Sequence, residues 1–333
     1  MAPLPAPSTL LYTLDFHKGP VHTCTFNTGS TYLLSGGSDR SIKLSNPLSG
    51  TLIKSYTGGH AYEVLSIACT RDNTKFSSSG GDKNCFLWDV TTGEIVRRFQ
   101  GHLGKVNTVC WNENDSVLAT GSFDTTIRLW DIKSSNRLPI QVLQDSKDSI
   151  TSVLIKDHLI IGSSVDGFLR TWDLRMGELR KDFFDQPITS LSLSKTSNSL
   201  ILLSLLSQDS PHPSSIPPQP ACHHLFDLSN GTSLNVYKSS GSATGGGGKG
   251  ESSYKNSNYK IQSSFSGIGE ESIYGADEDG FIRSWDTESG KELEGGKGLK
   301  GHDRSCLGVL MHPKERRMIS WGQDGLIKIW GDQ

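Results

Sequence analysis

Hydrophobic and polar positions alternate along this chain in short runs rather than at helical spacing. In one representative stretch, VNTVCW (106–111) is followed by the turn NENDS and then VLAT (117–120). The tight turn GSFDT, TIRLW (126–130) and PIQVL (139–143) complete the unit. Each run is rich in β-branched and aromatic residues and is bounded by Gly, Asp, Asn or Ser, which predicts four strands joined by turns. No amphipathic helix is predicted anywhere, so the fold class is all-β.

The pattern repeats. Trp-Asp pairs close NCFLWD, TTIRLWD, FLRTWD and FIRSWD, while HHLFD and LIKIWG are degenerate closures and SIKLSN begins the series. The closing positions are Ser45, Trp88, Trp130, Trp172, Phe226, Trp285 and Trp330. A period near 40 residues marks a solenoid or propeller, and here it gives seven units. An Asp lies six residues before six of the closures, at Asp39, Asp82, Asp124, Asp166, Asp279 and Asp324. The fifth unit departs, with Asp209 displaced by SPHPSSIPPQP.

These features resemble the WD-repeat (WD40) β-propeller family, in which each repeat supplies a four-stranded blade. The expected fold is one seven-bladed propeller over 8–333, with repeat cores near 17–59, 60–101, 102–145, 146–185, 186–240, 258–300 and 301–333. A Pro-rich insertion at 211–221 and a Gly/Ser-rich one at 239–257 interrupt it. The last repeat stops at its third strand, and TLLYTLDFH near the start resembles the fourth-strand segments TLIKSYTGGH and EIVRRFQGH. Residues 9–14 are therefore expected to complete the last blade and hide its open edge.

Three repeats carry His, a hydroxyl, Asp and Trp in register. They are His60, Ser78, Asp82 and Trp88; His102, Thr120, Asp124 and Trp130; and His302, Ser320, Asp324 and Trp330. The first repeat has His17, Ser35 and Asp39 without the Trp. A nucleophilic triad uses these residue types, but one catalytic triad does not recur at a blade period. The family resemblance implies a buried relay instead, from Trp to hydroxyl to His to Asp. The fourth and sixth repeats lack the His and the hydroxyl and are expected to be locally softer.

Other chemistry is weakly supported. GSATGGGGKGESS (241–253) suggests a phosphate loop, but Ala243 stands where the first Gly of that motif belongs and Gly250 where its hydroxyl belongs. Cys222, His223 and His224, with His212, have zinc-ligand types without zinc spacing. PHPSSIPPQP lacks a P-x-x-P core suited to an SH3 or WW domain. No motif of a hydrolase, metalloprotease or kinase occurs, so neither enzyme activity nor a cofactor or metal is expected.

Charge and composition narrow the partners. The 333 residues carry 33 Lys plus Arg against 35 Asp plus Glu, too balanced for a general nucleic-acid or membrane field. LILLSLL (200–206) is too short to span a bilayer as a helix, and the first residues lack a secretory pattern. The six scattered cysteines suit reduced, buried thiols in a soluble intracellular protein, cytoplasmic and nuclear.

NPLSGTLIKSYTGGHAYEVL, GHLGKVNTVCWNE, SVDGFLRTWDLRMGEL, QPITSL and NYKIQ are similar to the mitogen-activated protein kinase organizer branch of WD-repeat proteins. That resemblance implies a scaffold for kinase-cascade components or splicing factors, with reading of modified peptide tails as the alternative. Residues preceding each first strand are expected on the partner-binding top face: Tyr62, Glu63, Lys105, Lys147, Asp148, Tyr259, Lys260, Asp303 and Arg304. Arg40, Lys83 and Phe123 flank the repeated Asp in the other top loops. Tyr62, Phe123, Tyr259 and Arg304 rank highest, because Tyr and Arg anchor interfaces and an aromatic at Phe123 is unexpected in a turn.

Overall fold

A computed structural model describes residues 6–197, 199–208, 219–238, 254–267, 269–293 and 298–332. Its described regular structure is β-strand, arranged as seven four-stranded sheets, the blades of a seven-bladed β-propeller. The chain forms two compact units, residues 14–188 and residues 1–13 with 189–333.

The first strand is β1 (Thr9–Leu14). Blade one is β2 (Val21–Phe26), β3 (Leu33–Gly37), β4 (Ile42–Asn46) and β5 (Thr51–Tyr56). Blade two is β6 (Val64–Cys69), β7 (Lys75–Gly80), β8 (Cys85–Asp89) and β9 (Ile95–Phe99). Blade three is β10 (Val106–Trp111), β11 (Val117–Ser122), β12 (Ile127–Asp131) and the short β13 (Gln141–Leu143). Blade four is β14 (Ile150–Lys156), β15 (Leu159–Ser164), β16 (Phe168–Asp173) and β17 (Glu178–Phe183).

In the other unit, blade five is β18 (Ile188–Leu193), β19 (Leu200–Leu205), β20 (Cys222–Asp227) and β21 (Thr232–Tyr237). Blade six is β22 (Ser264–Phe265), β23 (Ser272–Ala276), β24 (Phe281–Asp286) and β25 (Leu299–Lys300). Blade seven is β26 (Cys306–Met311), β27 (Arg317–Gly322) and β28 (Ile327–Gly331), and β1 is its fourth strand. The closure expected for residues 9–14 is thus found, and it covers the edge that β28 would otherwise expose.

Alternation sorts the side chains. In β10 and β11, Val106, Val109, Leu118 and Ala119 are buried, and Trp130 on β12 packs against Phe99 with ring centroids 5.4 Å apart. Ile127, Leu129, Ile150, Val153, Ile160 and Trp172 form one continuous cluster running from blade three into blade four. Such inter-blade burial is the main stabilising term, because each sheet has two apolar faces to cover.

Two differences from the sequence expectations concern blade boundaries. Tyr254 and Asn256, assigned with the insertion at 239–257, are buried; Tyr254 packs on His223 (4.9 Å between centroids) and Trp285 (5.8 Å). An aromatic side chain recovers more from burial than the flanking Gly/Ser composition suggests. Ala221, at the end of the other insertion, is buried beside them. The phosphate-loop candidate 241–253, Asp209, His212 and most of 211–221 lie outside the described residues.

Candidate functional site

In blades one, two, three and seven the turn between the second and third strands presents residues on one end of the blade, and its geometry is fixed by the repeated Asp. In blade two, His60 Nδ1 donates to Asp82 Oδ2 (2.9 Å), and His60 Nε2 accepts from Ser78 Oγ (2.8 Å). Ser78 Oγ accepts in turn from Trp88 Nε1 (2.8 Å). The same three contacts join His102, Thr120, Asp124 and Trp130 at 2.8–2.9 Å. His302, Ser320, Asp324 and Trp330 are joined at 2.9 Å. Blade one keeps His17, Ser35 and Asp39, with the smaller Ser45 donating to the Leu33 carbonyl (3.4 Å).

Each carboxylate has a second task. Asp82 Oδ2 accepts from the Ala61 N–H (3.1 Å) and Asp124 Oδ2 from the Leu103 N–H (2.8 Å), so the residues after each His are held in place. Burial raises the Asp124 carboxyl, but hydrogen bonds from His102 and Thr126 outweigh it and hold the group well below the usual carboxylate range. Asp39, Asp82 and Asp324 are lowered in the same way by His17, His60 and His302. The His rings are enclosed and their nitrogens are engaged, which makes the sets structural clamps and leaves no nucleophile facing a substrate.

Asp279 behaves differently from its register partners. It makes an exposed ion pair with Lys255 (2.8 Å), while the buried carboxylate of that turn is Asp277, which accepts from Arg283 Nε (3.0 Å). Arg283 Nη1 also donates to Glu292 (2.9 Å). In blade four, Asp166 accepts from Arg170 (2.7 Å) and the Trp172 indole donates to Asp145 (3.0 Å). These two blades lack the His and the hydroxyl, and the buried arginines Arg170 and Arg283 hold their turns in place of the relay.

The clamps of blades two and three hold a shared hollow of about 540 Å³. Tyr62, Lys83, Asn84, Arg98, Gly104, Lys105 and Phe123 line it. Lys105 Nζ donates to Glu63 (2.7 Å), which spans the two blades and helps hold the Glu63 carboxyl low against the effect of burial. The Phe123 N–H donates to the Lys105 carbonyl (2.8 Å). A Cβ on Gly81 would lie 2.7 Å from the Glu63 carboxylate, so a larger residue there would displace the Glu63 side chain. Tyr62 is 61% exposed, Phe123 63% and the adjoining Leu103 78%, a concentration of large apolar groups facing water.

The structure thus brings Tyr62, Lys83, Lys105 and Phe123 together, with Glu63 as their brace. Arg40 sits in the equivalent turn of blade one with φ of 62°. In the second unit Tyr259, Lys260, Asp303 and Arg304 are exposed, and the Tyr259 N–H donates to Glu278 (3.2 Å). Lys147 and Asp148 are exposed in blade four, where the Lys147 N–H donates to Asp166 (3.0 Å). Sequence reading missed Leu103, Asn84 and Arg98. Leu103 follows the repeated His directly and could have been flagged by its apolar character, whereas Arg98 looks like any solvated outer-strand charge.

The six cysteines are free thiols, and Cys24, Cys85, Cys222 and Cys306 are buried. Burial pushes the Cys306 thiol up to about 12 and the Cys222 thiol to about 11. Among the described residues no group of His, Cys, Asp and Glu is arranged to hold a metal. His223 and His224 occupy opposite faces of β20; burial lowers His223 to about 3, and its Nδ1 contacts Ser204 (3.0 Å). No described helix is long and apolar enough to cross a membrane.

Repeated four-stranded blades, six of them locked at one turn and presenting variable residues beside it, define a WD40 propeller, a fold that typically serves as a non-enzymatic interaction scaffold. The WD domain, G-beta repeat family matches residues 8–45, 50–89 and 93–131. Relatives extend that match across the chain, and the protein belongs to the WD-repeat family. It is 30% identical to the WD repeat domain-containing protein 83 homolog of Dictyostelium discoideum, over 95% of this chain and 96% of the relative. Its identity to human WD repeat domain-containing protein 83 is 35%, over 98% and 93% of the two chains. The U5 small nuclear ribonucleoprotein 40 kDa protein of D. discoideum is 32% identical over 49% of this chain and 46% of its own.

Proposed function

We propose that this protein is a non-catalytic scaffold that assembles multiprotein complexes through the top loops of blades two and three. The observation that carries this reading is the hollow in which exposed Tyr62 and Phe123 stand among Lys83, Arg98 and Lys105. Rigid blades fix those groups relative to one another, so a partner is recognised without ordering the surface first. Aromatic anchors beside cations favour a partner segment with apolar and acidic side chains. The same cations disfavour the alternative reading, capture of methylated lysine tails, which requires an aromatic cage free of positive charge.

Two classes of complex fit a scaffold of this kind. The resemblance to the kinase-organizer branch supports kinase-cascade components, with the protein in cytoplasm and nucleus. Similarity to a U5 ribonucleoprotein subunit supports assembly with splicing proteins. Affinity purification with mass spectrometry separates them by recovering either kinases or splicing proteins with their small nuclear RNA. The variant Tyr62→Ala/Phe123→Ala is expected to lose most of that capture, at about 2 kcal/mol or more per anchor, while melting like the parent. Capture equal to the parent's would move the interface away from these loops; adding Tyr259→Ala and Arg304→Ala tests the equivalent loops of the second unit.

A further inference from the structure

The outer edge of blades two and three carries a second groove, of about 620 Å³. Lys75, Arg97, Arg98, Lys133 and Arg137 line it, and no carboxylate does. None of these five cations forms an ion pair among the described residues. In a chain with more acidic than basic residues, so one-sided a cluster is a local departure and a source of strong positive potential.

The groove is also pre-ordered. Arg97 Nη1 donates to the carbonyls of Asp131 (2.9 Å), Ile132 (3.3 Å) and Ser134 (2.7 Å), and its Nη2 donates to that of Asn136. One guanidinium therefore pins the loop that carries Lys133 and Arg137. The Arg98 side chain is fixed by Asn84 (3.2 Å) and by the face of Phe86 (5.5 Å to the centroid). Arg98 borders the top hollow as well, so the two recesses adjoin.

The floor identifies the ligand's shape. Val96, Arg97 and Arg98 line the groove along β9, the outermost strand of blade two, whose one neighbour is β8, and Gln100 lines it just beyond that strand's end. Its free edge offers backbone donors and acceptors to an added extended strand. Val96 and Ile132 add aliphatic surface above the buried Leu87, and no aromatic ring lines the groove. Single-stranded nucleic acid binds through stacked aromatics and a long basic track, and neither is present.

We propose that this groove is a second docking port, which takes an extended acidic segment of a partner protein, its carboxylates facing Lys75, Lys133 and Arg137 and its aliphatic side chains on Val96 and Ile132. It is separate from the top-loop interface and does not depend on Tyr62 or Phe123.

Fluorescence anisotropy on the full chain tests it with three probes: a labelled peptide alternating Glu and Val, its Gln counterpart, and oligouridylate. The acidic peptide is expected to bind at least about tenfold tighter than either control, and the double variant Lys133→Glu/Arg137→Glu to lose about tenfold, since two attractive charges become repulsive. Both residues are in a surface loop, and Arg97, which holds that loop, is left in place. Tyr62→Ala/Phe123→Ala should bind the peptide like the parent, which separates failure of this port from failure of the top-loop reading. Equal binding of the Gln peptide, tighter binding of the RNA, or an unaffected double variant would overturn the proposal.

Discussion

In blade three the turn after β11 is held by a relay in which the Trp130 indole donates to the Thr120 hydroxyl, that hydroxyl to the His102 imidazole, and the imidazole to the largely buried carboxylate of Asp124. In blade six the corresponding turn is held by Arg283, fully buried between Asp277 and Glu292. The two locks have opposite electrostatics. Hydrogen bonding holds Asp124 below the usual carboxylate range, whereas burial raises Asp277 and Arg283 only partly offsets that rise. A relay of largely neutral groups is tolerant of losing one member, but a buried ion cluster is not, because the remaining charges keep their desolvation penalty. Blade six therefore concentrates its risk in one side chain, while blade three distributes it.

The largest expected effect follows from that asymmetry. Arg283→Met should cost ~3 to 5 kcal/mol by urea unfolding, and replacing Asp277 and Glu292 by apolar residues in the same chain should restore most of it. A cost below that of disrupting Asp124 would break the comparison.

Asp124→Asn is expected to cost ~1 to 3 kcal/mol, and the size of the effect should depend on pH. A carboxyl lowered by folding contributes stability that is fully present above its ordinary value of 3.8 and is lost as pH falls toward its folded value. The unfolding midpoints of the parent and Asp124→Asn should thus differ by a constant amount above that pH and converge below it. Asp277 has the opposite sign: its raised carboxyl costs stability when ionised and returns it as pH falls, so the parent should gain stability relative to Asp277→Asn on acidification.

The smallest effect concerns the residue after the repeated Asp. It has left-handed backbone in blade three at Thr125 (φ 70°) and in blade four at Gly167 (φ 79°). A β-branched residue there costs ~1 to 2 kcal/mol, and glycine returns part of that gain as unfolded-chain entropy. Thr125→Gly should raise stability by ~0.5 to 1 kcal/mol, and Gly167→Ala should lower it, both read from thermal melts. A neutral Thr125→Gly would mean that the turn is relaxed.

Much of this architecture was legible because the repeat imposes one spacing on many residues. The strands of blade three, the pairing of β1 with β28, and the positions of His102, Thr120, Asp124 and Trp130 all follow from a period that neighbouring units restate. Asp277 was not legible, because it sits two positions from the repeated Asp, and the register counterpart of Arg283, Arg170, pairs with the repeated Asp166 instead, so the spacing does not show the switch of carboxylate. Glu270 was missed for a similar reason. Its buried carboxylate accepts from Ser194, the Lys195 N–H (2.5 Å) and Thr196 (2.6 Å), a contact between segments far apart in sequence. At the candidate site, Tyr62 and Phe123 stood out as aromatics in turns, but Arg97 and Arg98 read as solvated charges. What distinguishes them is the loop and the ring they hold, which only tertiary structure supplies.

The pairing of β1 with β28 also sets an order of events during synthesis. Strand β1 is synthesised more than 300 residues before its partner at Ile327–Gly331, so it waits longest of these strands to find its place. Contacts of such sequence separation form late and slowly. Until then Thr9–Leu14 and β28 both present unpaired backbone, so the nascent protein passes through a stage in which it can exchange this strand with a second copy.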